Sequence, residues 1–197
     1  GELIVDNEES GFRDGNQVIV SPLKKILGIQ NKYGDDYQQI NMFWAPEYWQ
    51  PVVQSAYYGR YVRSAVYTRS GTGDRSVKWS VPIKEPGYYN IYCYIGKAAD
   101  RMIVRRMGGP GGGQGTGGQG GPQGGNERRD DNLKDMHYKV YHDEGIDEIT
   151  VDFESADPEW YNLGQYYLSS DTATVELTNQ TSGRMVIGDA IRWVRVN

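Results

Sequence analysis

Aromatic side chains are the residues of this sequence whose types and spacing best fit a chemical task. The chain carries 16 Tyr and 5 Trp but only 3 Phe. Tyr and Trp combine a flat apolar ring with a polar tip, so they suit a surface that is packed on one side and wet on the other. The segment 42–51 crowds four aromatic rings around two prolines, without the periodicity of a strand or a helix. Such a segment is a candidate binding surface.

Exposed rings of this kind predict saccharide recognition. Flat rings stack on the C–H faces of sugars, while nearby Asn, Gln and Arg side chains bond the hydroxyl groups. The predicted stacking rings and hydroxyl partners are Trp44, Tyr48, Trp49, Trp160, Arg101, Asn162 and Gln165. The alternative is that the rings clamp a long insertion onto the rest of the fold, and for the three Trp residues the sequence leaves both interpretations open.

Three acidic residues near the two ends of the chain form a candidate cation site. Asp6, Glu8 and Asp189 would meet if the first and last strands lie side by side, and Ca²⁺ takes oxygen ligands. The competing and preferred interpretation is that Asp6 caps a turn and that Asp189 pairs with an arginine, either Arg192 or Arg101, because charges inside apolar strands are normally paired. No other cofactor is expected.

Few residues support catalysis. His137 and His142, the two histidines, are five positions apart, so on one strand they point to opposite faces and cannot converge. The HExxH, GxSxG, CxxC and GxxxxGK[ST] motifs are absent from the sequence. Cys93, the single cysteine, is in register with core residues and is expected to be a buried, inert thiol. We therefore predict a noncatalytic domain.

Charge and hydropathy narrow the set of partners. A formal net charge of −5 argues against a surface built to hold nucleic acid. No apolar run approaches the roughly 20 residues of a membrane-spanning helix, so we expect no membrane insertion.

Alternating apolar and polar residues predict the elements that position these side chains. Period-two patterns or apolar runs occur at residues 77–83, 88–95, 137–141, 149–153, 163–168, 173–177 and 186–196. Turn residues separate them at intervals of about ten residues, which is typical of an all-β sandwich. Within 88–95, Tyr89 and Cys93 fall on the predicted core face and Tyr92 and Tyr94 on the other.

Two segments depart from the strand pattern. Residues 21–29 carry Leu23, Ile26 and Leu27 at helical spacing, which predicts a short helix. Residues 108–125 consist mainly of Gly and are predicted to form a flexible loop between two strands. The length fits a single domain over residues 1–197. Because the chain begins with Gly1 rather than Met, we expect it to be part of a longer protein.

Several blocks of residues, spread in order along nearly the whole chain, carry a family resemblance. The blocks are Ile4–Asn7, Ser10–Phe12, Tyr58–Tyr61, Lys78–Trp79, Glu85–Tyr92, Tyr138–His142, Trp160–Gly164, Val175–Asn179 and Val186–Arg192. Together they resemble the golvesin C-terminal-like domain, which also occurs as the accessory domain of xanthan-lyase-like proteins.

The resemblance implies a jelly-roll-like antiparallel β-sandwich, similar to galactose-binding-like modules, attached to secreted bacterial enzymes and surface proteins. It therefore implies an extracellular, cell-surface or periplasmic location, and it brings no catalytic residues. The sequence departs from the family pattern by an N-terminal insertion at about residues 21–55 and by the Gly-rich tip between Arg106 and His137.

Three functions follow as expectations. The first is a noncatalytic carbohydrate-binding accessory module, whose partner is a polysaccharide. The second is a structural or adhesion module that packs on a neighbouring domain of the same chain and binds no sugar. The third is a polysaccharide lyase or another glycan-active enzyme.

Overall fold

The computed structural model describes residues 1–15, 40–41, 44–97, 132–169 and 172–196, and within them the regular elements are all β-strands. In chain order the strands are β1 (Glu2–Val5), β2 (Phe12–Asp14), β3 (Gln50–Val53), β4 (Ser64–Arg69), β5 (Ser76–Pro82), β6 (Gly87–Ile95), β7 (Asp135–His142), β8 (Gly145–Asp152), β9 (Glu159–Leu168), β10 (Thr172–Thr178), β11 (Met185–Gly188) and β12 (Ile191–Arg195). The predicted helix at 21–29 and the Gly-rich loop at 108–125 lie outside the described residues. The described part of the chain holds no helix long and apolar enough to cross a membrane.

The strands form three antiparallel sheets. A four-stranded sheet has the order β1-β12-β6-β9, a five-stranded sheet the order β2-β5-β10-β7-β8, and a three-stranded sheet the order β11-β4-β3. Strands β1 and β9 of the first sheet contact β5 and β7 of the second, and β11 joins the third sheet to β7. The predicted all-β sandwich is confirmed.

Alternation along the strands builds the core. In β5 the side chains of Val77, Trp79 and Val81 are buried, and in β6 those of Tyr89, Ile91, Cys93 and Ile95. Burial of a large apolar side chain contributes about 1.5–3 kcal/mol, so the sandwich needs no disulfide. Cys93 is a buried free thiol, as predicted, and burial raises its pKa to about 12.

The end of the chain differs from its prediction. The apolar run 186–196 forms two strands, β11 and β12, which belong to different sheets. The chain breaks at Asp189 because its carboxylate accepts backbone N–H groups from Tyr58 and Ala190, at 3.0 and 2.8 Å. Just before the break, a Cβ on Gly188 would lie 2.8 Å from the Trp79 ring, so the close approach of strand and indole requires glycine there.

The C-terminal end of the predicted insertion is part of the fold. Residues Gln50–Val53 form β3, which pairs with β4. The division of the chain into a sandwich with an insertion at 21–55 and a loop at 108–125 otherwise stays a prediction.

Candidate functional site

A β-bulge in β9 decides which side chains reach the surface of the four-stranded sheet. Leu163 is an extra residue in the pairing of β9 with β6, and it is buried. An inserted residue reverses the alternation of the side chains that follow it. Asn162, before the bulge, and Gln165, after it, are therefore both exposed on the outer side of the sheet. Gly164 completes the bulge with φ of 138°, a conformation that favours glycine.

The bulge produces a continuous outer surface on β6 and β9. Its eight residues are cross-strand partners, and all are at least partly exposed. We call this surface the β6–β9 face; its pairs are Tyr94 with Trp160, Tyr92 with Asn162, Asn90 with Gln165, and Tyr88 with Tyr167. None of the eight side chains is charged.

Three half-buried rings gather at one end of this face. The ring centroids of Tyr94 and Trp160 are 5.1 Å apart, and Tyr58, from the loop after β3, lies 5.2 Å from Trp160 and 5.7 Å from Tyr94. The two contacts of Trp160 are edge-to-face and the contact of Tyr58 with Tyr94 is tilted, and such ring pairs are each worth about 0.5–1.5 kcal/mol beyond the buried area. We call the three residues the ring cluster, and their contacts fix its shape before any ligand arrives.

An arginine from the next strand orients the ring cluster. The guanidinium carbon of Arg192, on β12, lies 4.4 Å from the Trp160 centroid and 4.7 Å from the Tyr92 centroid. A cation over indole and phenol rings contributes about 0.5–2 kcal/mol. Glu2, on β1, lies 3.8 Å from Arg192 and balances its charge.

Amide groups occupy the middle of the face. Gln165 donates Nε2–H to Asn90 Oδ1 at 3.2 Å, and Asn162 Oδ1 accepts the backbone N–H of Gly164 at 2.7 Å. These bonds hold the amides in place and leave Asn162 Nδ2 and Gln165 Oε1 at the surface. The arrangement can hydrogen-bond hydroxyl groups beside an aromatic platform.

The structure brings together three of the seven residues predicted for the saccharide site, namely Trp160, Asn162 and Gln165. Arg101 lies outside the described residues. The prediction that Trp49 stacks on a sugar is wrong, because only 2% of its surface is exposed and its ring packs in the core. Trp44 is 81% exposed.

The remaining predicted rings do not share a groove with Trp160. The segment that carries Tyr48 lies against the end of β4, where Thr68 donates its hydroxyl to the Pro46 carbonyl; the Tyr48 ring lies 5.5 Å from the Arg75 guanidinium. The loop that carries Tyr58 begins beside Arg63, at the start of β4. The six residues of β4 separate the two groups by about 17 Å.

Four residues of the site were missed by the sequence reasoning: Tyr58, Tyr92, Tyr94 and Arg192. The alternation of residues 88–95 assigns Tyr92 and Tyr94 to the non-core face, and that signal was sufficient to find them. Tyr58 comes from a loop and Arg192 from another strand, so their contacts with Trp160 are visible only in the folded structure.

Two buried carboxyl groups lie below this end of the sandwich. Asp6 and Asp189 are each 3% exposed. Burial, with the nearby charges of Glu8 and Glu9, raises the pKa of Asp6 to about 7 even though its carboxylate accepts the Asn7 N–H. Burial, with the charge of Asp6, raises the pKa of Asp189 well above its usual range.

These contacts bear on the candidate cation site. Asp6 does cap a turn, because its side chain accepts the N–H of Asn7 and its carbonyl that of Glu9. The predicted pairing of Asp189 with Arg192 is wrong, because Asp189 accepts backbone N–H groups instead. No group of three or more His, Cys, Asp or Glu side chains that could hold a metal ion occurs in the part of the chain that the structure describes. The Ca²⁺ site at Asp6, Glu8 and Asp189 stays a prediction.

Comparisons with known proteins agree with the fold. Residues 126–195 match the family model of the Golvesin C-terminal domain. The whole chain superposes on 13% of a Paenibacillus xanthan lyase with a TM-score of 0.61 and 14% identity. It also aligns, over 100% of its own length, with 28% of a GH26-CBM35 β-(1,4)-mannanase from Podospora anserina, with a TM-score of 0.44 and 11% identity. A search of curated proteins found no match. The predicted resemblance to a golvesin C-terminal-like, xanthan-lyase-like accessory domain is confirmed.

Proposed function

We propose that this golvesin C-terminal-like module is a noncatalytic accessory domain that binds carbohydrate on its β6–β9 face. The observation that carries the proposal is the ring cluster, held by Arg192 beside exposed amide groups. A sugar ring needs a flat apolar platform for its C–H groups and fixed polar atoms for its hydroxyls, and this surface offers both.

Weak, reversible binding is expected from such a surface. The ring cluster is pre-formed, so little conformational entropy is lost on binding. Few groups contact each sugar, however, and water competes for every hydroxyl, so the affinity of a single module is low. Such a module is useful because it holds the domains attached to it near a polymer.

The chemistry of the face supports a noncatalytic role. None of its eight side chains is an acid or a histidine, the groups that most often transfer protons in catalysis. The two histidines are engaged elsewhere: His137 Nε2 lies 2.6 Å from Asp135 Oδ2, and the His142 ring packs 4.8 Å from the Tyr166 ring.

The parent protein and its location are also proposals. The chain spans 13% of the xanthan lyase that it resembles, which is the proportion of an appended module rather than of a whole enzyme. An accessory domain that binds polysaccharide acts where polysaccharide is found, so we place it in a protein that is secreted or displayed on the bacterial surface.

Affinity gel electrophoresis tests the proposal. The chain is run through gels that contain one polysaccharide each, including xanthan, glucomannan, xyloglucan, dextran and polygalacturonate. We expect retardation by at least one polymer and its loss in Trp160→Ala, with Tyr61→Ala as the matched control, because Tyr61 is 91% exposed and does not belong to the β6–β9 face. Unretarded migration in every gel, or retardation that survives Trp160→Ala, would contradict the proposal.

A second candidate function rests on Trp44. An indole that is 81% exposed on a globular surface favours a contact with another protein surface. This candidate is a structural module that packs on a neighbouring domain. Hydroxyl-radical footprinting of the isolated chain and of the longer parent protein tests it: protection of Trp44 in the parent supports the contact, and equal oxidation in both contradicts it.

A further inference from the structure

We infer that the β6–β9 face holds a neutral, linear polysaccharide, laid along the strands, rather than a single sugar. This inference rests on the proposed function and specifies its ligand class. It follows from the length, the order and the charge of the four cross-strand pairs.

The face has a second aromatic pair far from the ring cluster. Tyr88 and Tyr167 are 55% and 40% exposed, with ring centroids 5.2 Å apart in an edge-to-face contact. They lie six residues along β6 from Tyr94, which corresponds to about 20 Å at 3.3 Å per residue. A single sugar ring on Trp160 therefore cannot reach them.

The order of the pairs matches a polymer that runs along the strands. Rings occur at both ends of the face, and the pair of Asn90 with Gln165 lies between them. Successive pairs are two residues apart, or about 7 Å, so stacking and hydrogen-bonding positions follow one another in a line. A ligand that uses the whole line must therefore be longer than a disaccharide.

The order of the line depends on the bulge at Leu163. If the same sequence continued in regular alternation without a bulge, Gln165 and Tyr167 would point into the core, and only the ring-cluster end of β9 would remain at the surface. The bulge in β9 thus lengthens the exposed β6–β9 face.

Charge selects a neutral polymer. The eight residues are uncharged in a chain of which 24% is charged. Two arginines that border the face are paired with glutamates, because Arg192 faces Glu2 at 3.8 Å and Arg195 bonds Glu85 at 2.7 Å. At the ring-cluster end, exposed Arg60 and Arg63 act on Tyr58 and Tyr94, but the negative charges of Glu2, Glu9 and Glu159 act on the same two rings. An acidic polysaccharide would therefore find no cation within the face itself and would bring its carboxylates toward these glutamates.

Isothermal titration with ligands of increasing length tests the inference. The probes are β-1,4-linked manno- and gluco-oligosaccharides of two to six sugars, the neutral polymers glucomannan, xyloglucan and dextran, and polygalacturonate as the anionic polymer. We expect no binding of polygalacturonate and an affinity for neutral ligands that rises with length beyond the disaccharide. The double variant Tyr88→Ala/Tyr167→Ala should lose about tenfold in affinity for a bound neutral polymer, the loss expected for one stacking position.

The control variant and the possible outcomes distinguish a failure of this inference from a failure of the proposed function. Tyr61→Ala should bind like the wild type, and circular dichroism should show all variants folded, because both substituted tyrosines are exposed. A neutral ligand bound with the same affinity at every length, or unchanged polymer binding in the double variant, overturns the inference while the proposed function stands. Stronger binding of polygalacturonate assigns the face to acidic glycans and also overturns it. No binding to any glycan removes both this inference and the proposed function.

Discussion

Arg192 lies with its guanidinium 4.4 Å from the centre of the Trp160 ring, so the indole on β9 contacts a charge carried by β12, two strands away in the same sheet. The same guanidinium contacts Tyr92, on the strand between them. The cation thus joins three strands of the four-stranded sheet at the point where the ring cluster reaches the surface.

Replacing Arg192 should weaken glycan binding by loosening Trp160. We expect Arg192→Ala to lose several-fold in affinity and about 1 kcal/mol in the free energy of unfolding, and Arg192→Lys to recover only part of the affinity, because a lysine lacks the planar guanidinium. Paired titrations and urea denaturation measure both effects. Equal affinity in all three proteins would show that the cation does not position the ring.

Gly164 should be intolerant of any side chain. Its φ of 138° is rarely adopted by other residues, and a Cβ would lie 2.7 Å from the Tyr166 hydroxyl. We expect Gly164→Ala to cost about 1–3 kcal/mol in stability and to reduce glycan affinity by disturbing the bulge. Gly145→Ala, at φ 139° where β8 begins, is the matched control: it should lower stability and leave affinity unchanged. If a folded Gly164→Ala protein bound glycan with wild-type affinity, the bulge would not be required for binding.

Asp6 should make the protein less stable as the pH rises. Its pKa is raised from 3.8 to about 7 by folding, so between these values the folded chain holds a proton that the unfolded chain has lost. The free energy of unfolding therefore falls from about pH 4 to about pH 7, by up to a few kcal/mol. Asp6→Asn should reduce this dependence, to which the buried Asp189 also contributes, and raise stability at pH 8, whereas exposed Asp157→Asn should not.

Denaturant titrations at pH 5 and pH 8, with EDTA present, measure the dependence on Asp6. A wild-type protein that is equally stable at both pH values, or an Asp6→Asn protein with the same slope, contradicts the assignment. In a parallel titration, a Ca²⁺-dependent rise in wild-type stability at pH 8 that Asp189→Asn removes would support the predicted cation site.

Trp49 and Trp44 should respond in opposite ways to truncation. Trp49 is buried, so Trp49→Ala leaves a cavity and should cost about 3–5 kcal/mol. Trp44 is exposed, so Trp44→Ala should change stability by less than about 0.5 kcal/mol. Thermal denaturation of the two variants measures both changes in stability. Similar losses in both would mean that the indole of residue 44 is also packed.

The strands could be predicted from the sequence because one face of each is buried, and burial imposes a period of two. That signal located β5, β6, β7, β8 and β10, and it placed Tyr89 and Cys93 in the core, where both are buried. The period-two signal failed at the two places where a single residue interrupts the alternation of buried and exposed side chains. The break at Asp189 depends on backbone groups of a distant loop, and the bulge at Leu163 is set by pairing with β6.

The site was only partly predictable for the same physical reason. Residues 42–51 were predicted to form a binding surface because aromatic residues without periodicity are expected to be exposed. Tertiary packing nevertheless buries Trp49. Asn162 and Gln165 were chosen for their chemistry, and the structure places them on one face although they are three residues apart, because the bulge shifts the alternation between them. A ring cluster built from a loop and two strands has no pattern along the chain.

Isothermal titration of Trp160→Ala and of Trp44→Ala, with the polysaccharide that retards the wild-type chain, decides whether the ring cluster binds glycan. Both variants remove one indole, but only Trp160 belongs to the ring cluster. We expect Trp160→Ala to lose at least tenfold in affinity while remaining folded and Trp44→Ala to bind like the wild type. Full binding by Trp160→Ala, or loss of binding in Trp44→Ala alone, would contradict it.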